Sequence, residues 1–387
     1  MQLKDYCRRV VVAWLVVLSL SAGAVHADPV VGGTPQTVPD TQRSELNDYV
    51  VETWIEGLEI PWSLVFLSPT EALVSERPGR IRRIVEGRLL PDAYAAPEVL
   101  HTGEGGLMGL AVHPRFPDVP YIYAMHTYRE GGRPANRVVR LRHEGERATL
   151  DRVIIDDIPG HRVHNGGRIG FGPDGMLYVT TGDIWQAELA QDADSLAGKI
   201  LRLTPDGAIP ADNPTEGSPV YSLGHRNPQG LAWHPGTGAL FSSEHGPSGE
   251  YGLRGRDIIN LIEKGGNYGW PRTVGKADRP PYIDPLIMWE QATPPGGMAF
   301  WGGDLFVATL RSRALIRIQL AQQEGSFQVT AIERWFDPDH GDTTFGRLRD
   351  TVVGPDDRLY LLTSNRDGRG RTRAGDDRIV RITGRGR

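Results

Sequence analysis

The chain has 387 residues, with 43 Lys and Arg against 48 Asp and Glu, a formal net charge of −5. The balance deepens to −7 once residues 1–27, which hold Lys4, Arg8, Arg9 and Asp5, are set aside. Such a charge argues against nucleic acid or an anionic membrane as the main partner, and a single cysteine, Cys7, excludes a disulfide framework.

The N-terminus reads as a secretory signal. Lys4, Arg8 and Arg9 form a positive start, Val10 to Leu20 is apolar, and Ala24-Val25-His26-Ala27 offers small residues for cleavage after Ala27. The apolar run is short of the roughly 20 residues a bilayer span needs. The mature protein is therefore expected in the periplasm or secreted, without a membrane span. Residues 28–48 are expected to be a flexible extension, and 49–387 a single domain.

Glycine (48) and proline (29) make up about a fifth of the chain, well above the usual share of about 12%. Long runs of helical period are missing, so the excess marks turns. One unit recurs, a Pro or Gly-Pro turn followed by a short apolar strand. Its copies are LSPTEALVSE (67–76), HPRFPDVPYIYAMH (113–126), GPDGMLYVTTGD (172–183), HPGTGALFSSEHG (234–246), WGGDLFVATL (301–310) and GPDDRLYLLTS (354–364). Six copies, roughly 45 to 65 residues apart, predict an all-β fold, a six-bladed β-propeller with four-stranded antiparallel blades. Unrelated hairpins of a β-sandwich are the alternative, and the constant turn-then-strand order argues against it.

Propellers carry their sites on loops at the mouth of the central channel, so long polar loops are the ones to read. In the loop 161–168, Gly166 and Gly167 let the backbone bring His164 close to a ligand, and a histidine so placed suits general-base work near neutral pH. A histidine bonded within a turn is the competing reading, and no matching ligand spacing points to zinc. In 224–230, Pro228 restrains Asn227 to an extended backbone and Arg226 is suited to an anionic or carbonyl oxygen, a loop salt bridge being the alternative. Ser243 to Pro247 ends a strand and exposes the Gly246 and Pro247 carbonyls, calcium-type donors when beside carboxylates. Arg347 and Arg349 alternate along a strand and face the same way. They repel unless an anion lies between them, either a ligand carboxylate or one of Asp337, Asp339 and Asp350. Gly170 to Gly175 matches GxGxxG formally, but a strand follows where a nucleotide fingerprint needs a helix. The arginines from Arg366 to Arg373 sit among Asp367, Asp376 and Asp377 and read as a solvated loop.

Taken together, GEGGLMGLAVHPRF (103–116), HNGGRIGFGPDG (164–175), LAGKILRLTPDGAIPADNP (196–214), GHRNPQGLAWHP (224–235), EHGP (244–247), KGGNYGWP (264–271) and RLRDTVVGPDDRLYLLT (347–363) resemble the soluble quinoprotein glucose/sorbosone dehydrogenase family, in particular its aldose sugar dehydrogenase branch. The match runs from about Leu58 over nearly all of the chain that follows. The resemblance implies a six-bladed propeller that binds pyrroloquinoline quinone (PQQ) with Ca2+ and oxidises the C1 hydroxyl of aldose sugars to lactones. It implies His164 as the base, Arg226 and Asn227 at the quinone oxygens, and the Gly246 and Pro247 carbonyls on the calcium. Arg347 and Arg349 would grip the cofactor carboxylates, and Asp257 matches an acidic active-site residue.

Glu104 stands where the glucose dehydrogenases have a glutamine, and Arg311 replaces a cofactor-binding lysine. The loop from Ser248 to Arg256 is longer than usual. Ile258 replaces a glutamate that helps bind a second, structural calcium in relatives. No segment indicates the electron acceptor. The alternative is a propeller of another class that binds sugars, glycans or a protein without redox turnover; Glu104, Arg311 and the long loop favour it.

Overall fold

The apolar runs of the six repeats become the second strands of six antiparallel sheets. The computed structural model describes residues 28–43, 45–323, 326–336 and 345–385; the signal segment with Cys7, and Asp337 and Asp339, lie outside them. In chain order the blades are I (61–68, 71–76, 80–85, 88–95), II (107–112, 121–130, 133–143, 148–159), III (169–171, 177–180, 199–203, 220–223), IV (228–233, 240–244, 257–262, 287–289), V (295–301, 304–309, 315–323, 326–335) and VI (348–353, 359–363, 379–384 and 49–55). The repeats fall on the hairpin between first and second strands in every blade. In blades III and VI the turn is built identically. Asp174 accepts the Met176 N–H and the Tyr178 hydroxyl, and Asp356 accepts the Arg358 N–H and the Tyr360 hydroxyl.

Second strands are buried on both faces, as in Leu359–Thr363, and read as continuous apolar runs. Outer strands such as Ala148–Pro159 are mostly exposed. Each gap between blades has its own apolar filling. Leu73 and Ile122 meet between I and II, Tyr123 and Val179 between II and III, and Tyr178 and Leu240 between III and IV. Phe241 and Val307 meet between IV and V, Leu315 and Leu361 between V and VI, and Leu64 and Leu362 between VI and I. First strands approach closely near the axis, where side chains run out of room. A Cβ on Gly230 would meet the Gly296 carbonyl, and one on Gly296 the Arg349 carbonyl.

The N-terminal strand 49–55 closes the ring. It pairs antiparallel with 379–384, so blade VI is completed by both ends of the domain and the last blade is not left short of its outer strand. The segment expected as a flexible extension is instead bonded along the ring. Val30–Val31 pair with Thr273–Val274, and Asp40–Arg43 add a parallel fifth strand to blade V. Gln36 exchanges two hydrogen bonds with the Met288 backbone, and Asp40 receives Trp289 and Arg334. The pattern was not legible because these strands are two and four residues long, and the longer one is polar.

Among the described residues the helices are two short 3-10 turns, 187–190 and 250–252, and no helix is long and apolar enough to cross a membrane. The formal GxGxxG forms the first hairpin of blade III, as the following strand required.

Candidate active site

In an antiparallel blade the start of the first strand and the end of the second lie at the same end. Loops entering a blade and loops leaving its second strand therefore converge on one mouth, opposite the repeat hairpins. Glu104, His164, Arg226 and Arg347 lie on entering loops; Trp185, Gly246, Pro247, Arg311 and Arg369 lie on leaving loops; Asp257 begins a third strand. All ten line one cavity of about 560 Å3, within the size range of small-molecule sites. Asn227 and Arg349 are buried and do not line it.

His164 sits in the left-handed region (φ 55°), ahead of Gly166 and Gly167, which share that sign. The turn aims its imidazole at Asp183, with Nδ1 2.7 Å from Oδ1, both side chains buried. A carboxylate there fixes the proton on Nδ1 and leaves the Nε2 lone pair free. Asp183 is the site residue that sequence reading missed, since TTGD ends an ordinary repeat. Its Oδ1 also accepts the Trp185 N–H at 2.9 Å, and its Oδ2 the Trp270 indole at 2.8 Å. The chain beyond it is strained: Ile184 (φ 52°) and Trp185 (φ 64°) are both left-handed, at roughly 1–2 kcal/mol per residue. The Trp185 ring lies 4.9 Å from the His164 ring.

Arg226 is held more tightly than its loop suggested. Its backbone N–H donates to Glu244, its guanidinium donates to Glu250 at 2.6 and 2.8 Å, and Nη1 donates to the His245 carbonyl at 3.2 Å. Glu250 belongs to the long loop 248–256, whose function was not evident from sequence. Asn227 Oδ1 accepts the Gly166 N–H, and its buried Nδ2 has no hydrogen-bond partner among the described residues. Asp257 accepts the N–H groups of Gly246 at 3.0 Å and Thr293 at 2.6 Å, so it fixes the strand end that presents the Gly246 carbonyl. Burial pushes its carboxyl up to about 6 against those bonds. Burial likewise lowers His245 to about 3, and its Nε2–H donates to the Pro295 carbonyl.

The arginine pair differs from expectation. Arg347 precedes its strand, a bulge falls between Leu348 and Asp350, and the anion beside Arg347 is Asp367, at 2.8 and 2.9 Å. Asp350 pairs with Arg168 instead. Arg349 lies deeper, donating to Gln229 at 2.5 Å and standing 5.7 Å over Trp62, while its buried Nε has no partner among the described residues. Burial pulls it down to about 9. The arginine-rich stretch is part of the wall rather than a solvated loop: Asp367 is buried under it, and Arg369 reaches Glu104 at 2.7 Å.

Glu104 accepts the His164 N–H at 3.1 Å through its other oxygen. Burial raises its pKa, but Arg369, His164 and His245 outweigh that and hold it at about 2. A carboxyl depressed below its unfolded value contributes stability above about pH 4.5 and loses it as the pH falls through about 2. Glu104→Gln is expected to remove on the order of 2 kcal/mol, after screening through the exposed Arg369. Urea unfolding from pH 5 to pH 2 should show a shallower acid decline in the variant, and parallel curves would exclude this role.

Four arginines and two carboxylates line the cavity, and Arg349 stands behind them. The socket suits an anion, with one free imidazole nitrogen on one side and two backbone carbonyls on another.

The glucose/sorbosone dehydrogenase family model matches residues 58–374. An oxidoreductase (glucose dehydrogenase) crystal structure from Thermus thermophilus is 57% identical with a TM-score of 0.82, over 87% of this chain and all of that one. The PQQ-bound aldose sugar dehydrogenase of Streptomyces coelicolor is 37% identical with a TM-score of 0.77, over 88% of this chain and 99% of that one. An aldose sugar dehydrogenase of Escherichia coli K12 is 31% identical over 351 residues, 82% of this chain and 91% of that protein.

Proposed function

Because the chain belongs to the glucose/sorbosone dehydrogenase family, we propose that it is an exported, periplasmic aldose dehydrogenase. It would use PQQ and calcium to oxidise the C1 hydroxyl of aldose sugars to lactones. The observation that carries this reading is the imidazole of His164, oriented by Asp183 and facing a cavity with more cations than anions.

The chain's own groups fit a tricarboxylate quinone. Two buried donors, Arg349 Nε and Asn227 Nδ2, have no partner among the described residues, a costly arrangement unless a ligand takes them. Arg226, Arg311 and Arg347 line the same cavity. The carbonyls of Gly246 and Pro247 are hard oxygen donors for calcium, although Gly246 and Pro247 alone do not complete a coordination shell. When bound, the cofactor supplies a two-electron hydride acceptor and the calcium a Lewis acid.

His164 Nε2 takes the proton of the C1 hydroxyl while the C1 hydride leaves the sugar. Asp183 stabilises the imidazolium that results and keeps the ring in its working tautomer. Arg226, braced by Glu250 and His245, offers its remaining N–H bonds to negative charge developing in the cavity. Glu104, locked to the His164 backbone and Arg369, keeps the histidine turn in place. Asp257 positions Gly246.

Purified apoprotein is expected to reduce an artificial dye with D-glucose or another aldose only when both PQQ and Ca2+ are added, with lactone as product. Titration of PQQ in the presence of calcium should give a saturable absorbance change. A flat titration would point to the binding propeller without turnover.

A further inference from the structure

Exposed large apolar side chains are scattered over the described surface, and single ones are ordinary. Trp185 differs from the others: it is 50% exposed and it lines the cavity. Its backbone departs from ordinary geometry, because Ile184 and Trp185 are consecutive left-handed residues and neither is glycine. A β-branched residue in that region is a genuine outlier, and such conformations persist only where the surroundings over-determine them.

The surroundings here are Asp183 and His164. Asp183 accepts the Trp185 N–H with the same oxygen that orients the His164 imidazole, and the Ile184 N–H donates to the His164 carbonyl at 3.3 Å. The indole is therefore fixed to the proton acceptor, its ring tilted 43° to the imidazole. A tryptophan meant only for packing gains nothing by remaining half in water at this position.

We propose that Trp185 is the stacking platform for the aldose ring, a specificity-determining residue that sets the sugar's reducing end beside His164 Nε2. The inference rests on the aldose-dehydrogenase reading and adds the face by which the substrate is held. A pyranose chair presents patches of C–H groups, and an aromatic face receives them while the hydroxyls remain free for polar partners. The substrate class selected is then a cyclic aldopyranose, in preference to an open-chain polyol of the same composition. Trp185 touches the ring in the ground state and the transition state alike, so its contribution falls on binding.

Trp185→Ala is expected to raise KM for aldopyranoses by roughly 10- to 100-fold in the PQQ- and calcium-loaded enzyme, with a much smaller change in kcat. Trp185→Phe is expected to recover most of that loss. Absorbance titration of PQQ should be unaltered in both variants, which separates sugar binding from damage to the cofactor socket. Calorimetric binding of D-glucose to the apoprotein provides a second readout, expected to weaken in Trp185→Ala and return in Trp185→Phe. An alanine variant with KM and sugar affinity within about 2-fold of wild type, or a phenylalanine variant no better than alanine, would overturn the proposal. If the loaded wild type oxidises no aldose, the functional reading fails. The calorimetric comparison then decides Trp185 by itself, and wild-type protein that binds no sugar overturns this proposal too.

Discussion

His164→Ala is expected to lower kcat for aldose oxidation by about 10²- to 10⁴-fold, the range a positioned general base supplies. The loss should appear in kcat and kcat/KM together, because the proton is taken in the transition state and not on binding. PQQ affinity should hardly change, since the imidazole is committed to Asp183 on one side and faces the cavity only with Nε2. Asp183→Asn tests the same unit from behind. An amide accepts the Nδ1–H less well and can present its own donor there, which favours the tautomer with the proton on the working nitrogen. That variant also weakens the bonds to the Trp185 N–H and the Trp270 indole, so its folded state must be checked by circular dichroism. Single-turnover reduction of the bound quinone is the measurement. A His164→Ala rate within about 5-fold of wild type would remove the histidine from the proton-transfer step.

Arg349→Met is expected to act in opposite directions on cofactor binding and stability. A buried guanidinium whose Nε has no partner among the described residues, pulled down to about 9 by burial, is costly to the apoprotein. Replacing a buried charge with an apolar side chain of similar length is neutral or stabilising by about 1–4 kcal/mol in comparable cases. The gain is reduced because Gln229 loses its 2.5 Å partner, so the apoprotein should be at least as stable as wild type. A charge-assisted hydrogen bond to a ligand carboxylate is worth about 1.5–3 kcal/mol, so the Kd for PQQ should rise about 10- to 150-fold. Thermal unfolding and absorbance titration read the two effects separately. A variant that binds PQQ as wild type does would place Arg349 outside the cofactor site, and a large fall in Tm would make it a structural residue. The trade of apoprotein stability for function is common at preorganised sites.

Much of the site was legible because its residues cluster in short loops with unusual chemistry. The His-Asn-Gly-Gly and His-Arg-Asn-Pro stretches mark His164 and Arg226, and both reach the same cavity. Their counter-charges were not legible. Asp183 lies 19 residues from His164, Glu250 lies 24 from Arg226, and Arg369 lies 265 from Glu104. Asp367 was visible as a charge in an arginine-rich stretch, yet only its burial beside Arg347 distinguishes it from a solvated aspartate. The reading of Arg347 and Arg349 as equals on one strand face failed at the bulge, which a period of two cannot reveal.

What sequence alone determined is the repeating unit: turn chemistry and strand alternation are written within about ten residues, and six copies demand a ring. Closure by strand 49–55, the strap of residues 28–43 along blades IV and V, and the pairing of each site cation with its carboxylate were decided only by the tertiary structure. The physical reason is range. A turn or a strand is stabilised by its immediate neighbours in the chain, whereas an ion pair at the channel mouth exists only because blades far apart in sequence bring their loops to one end.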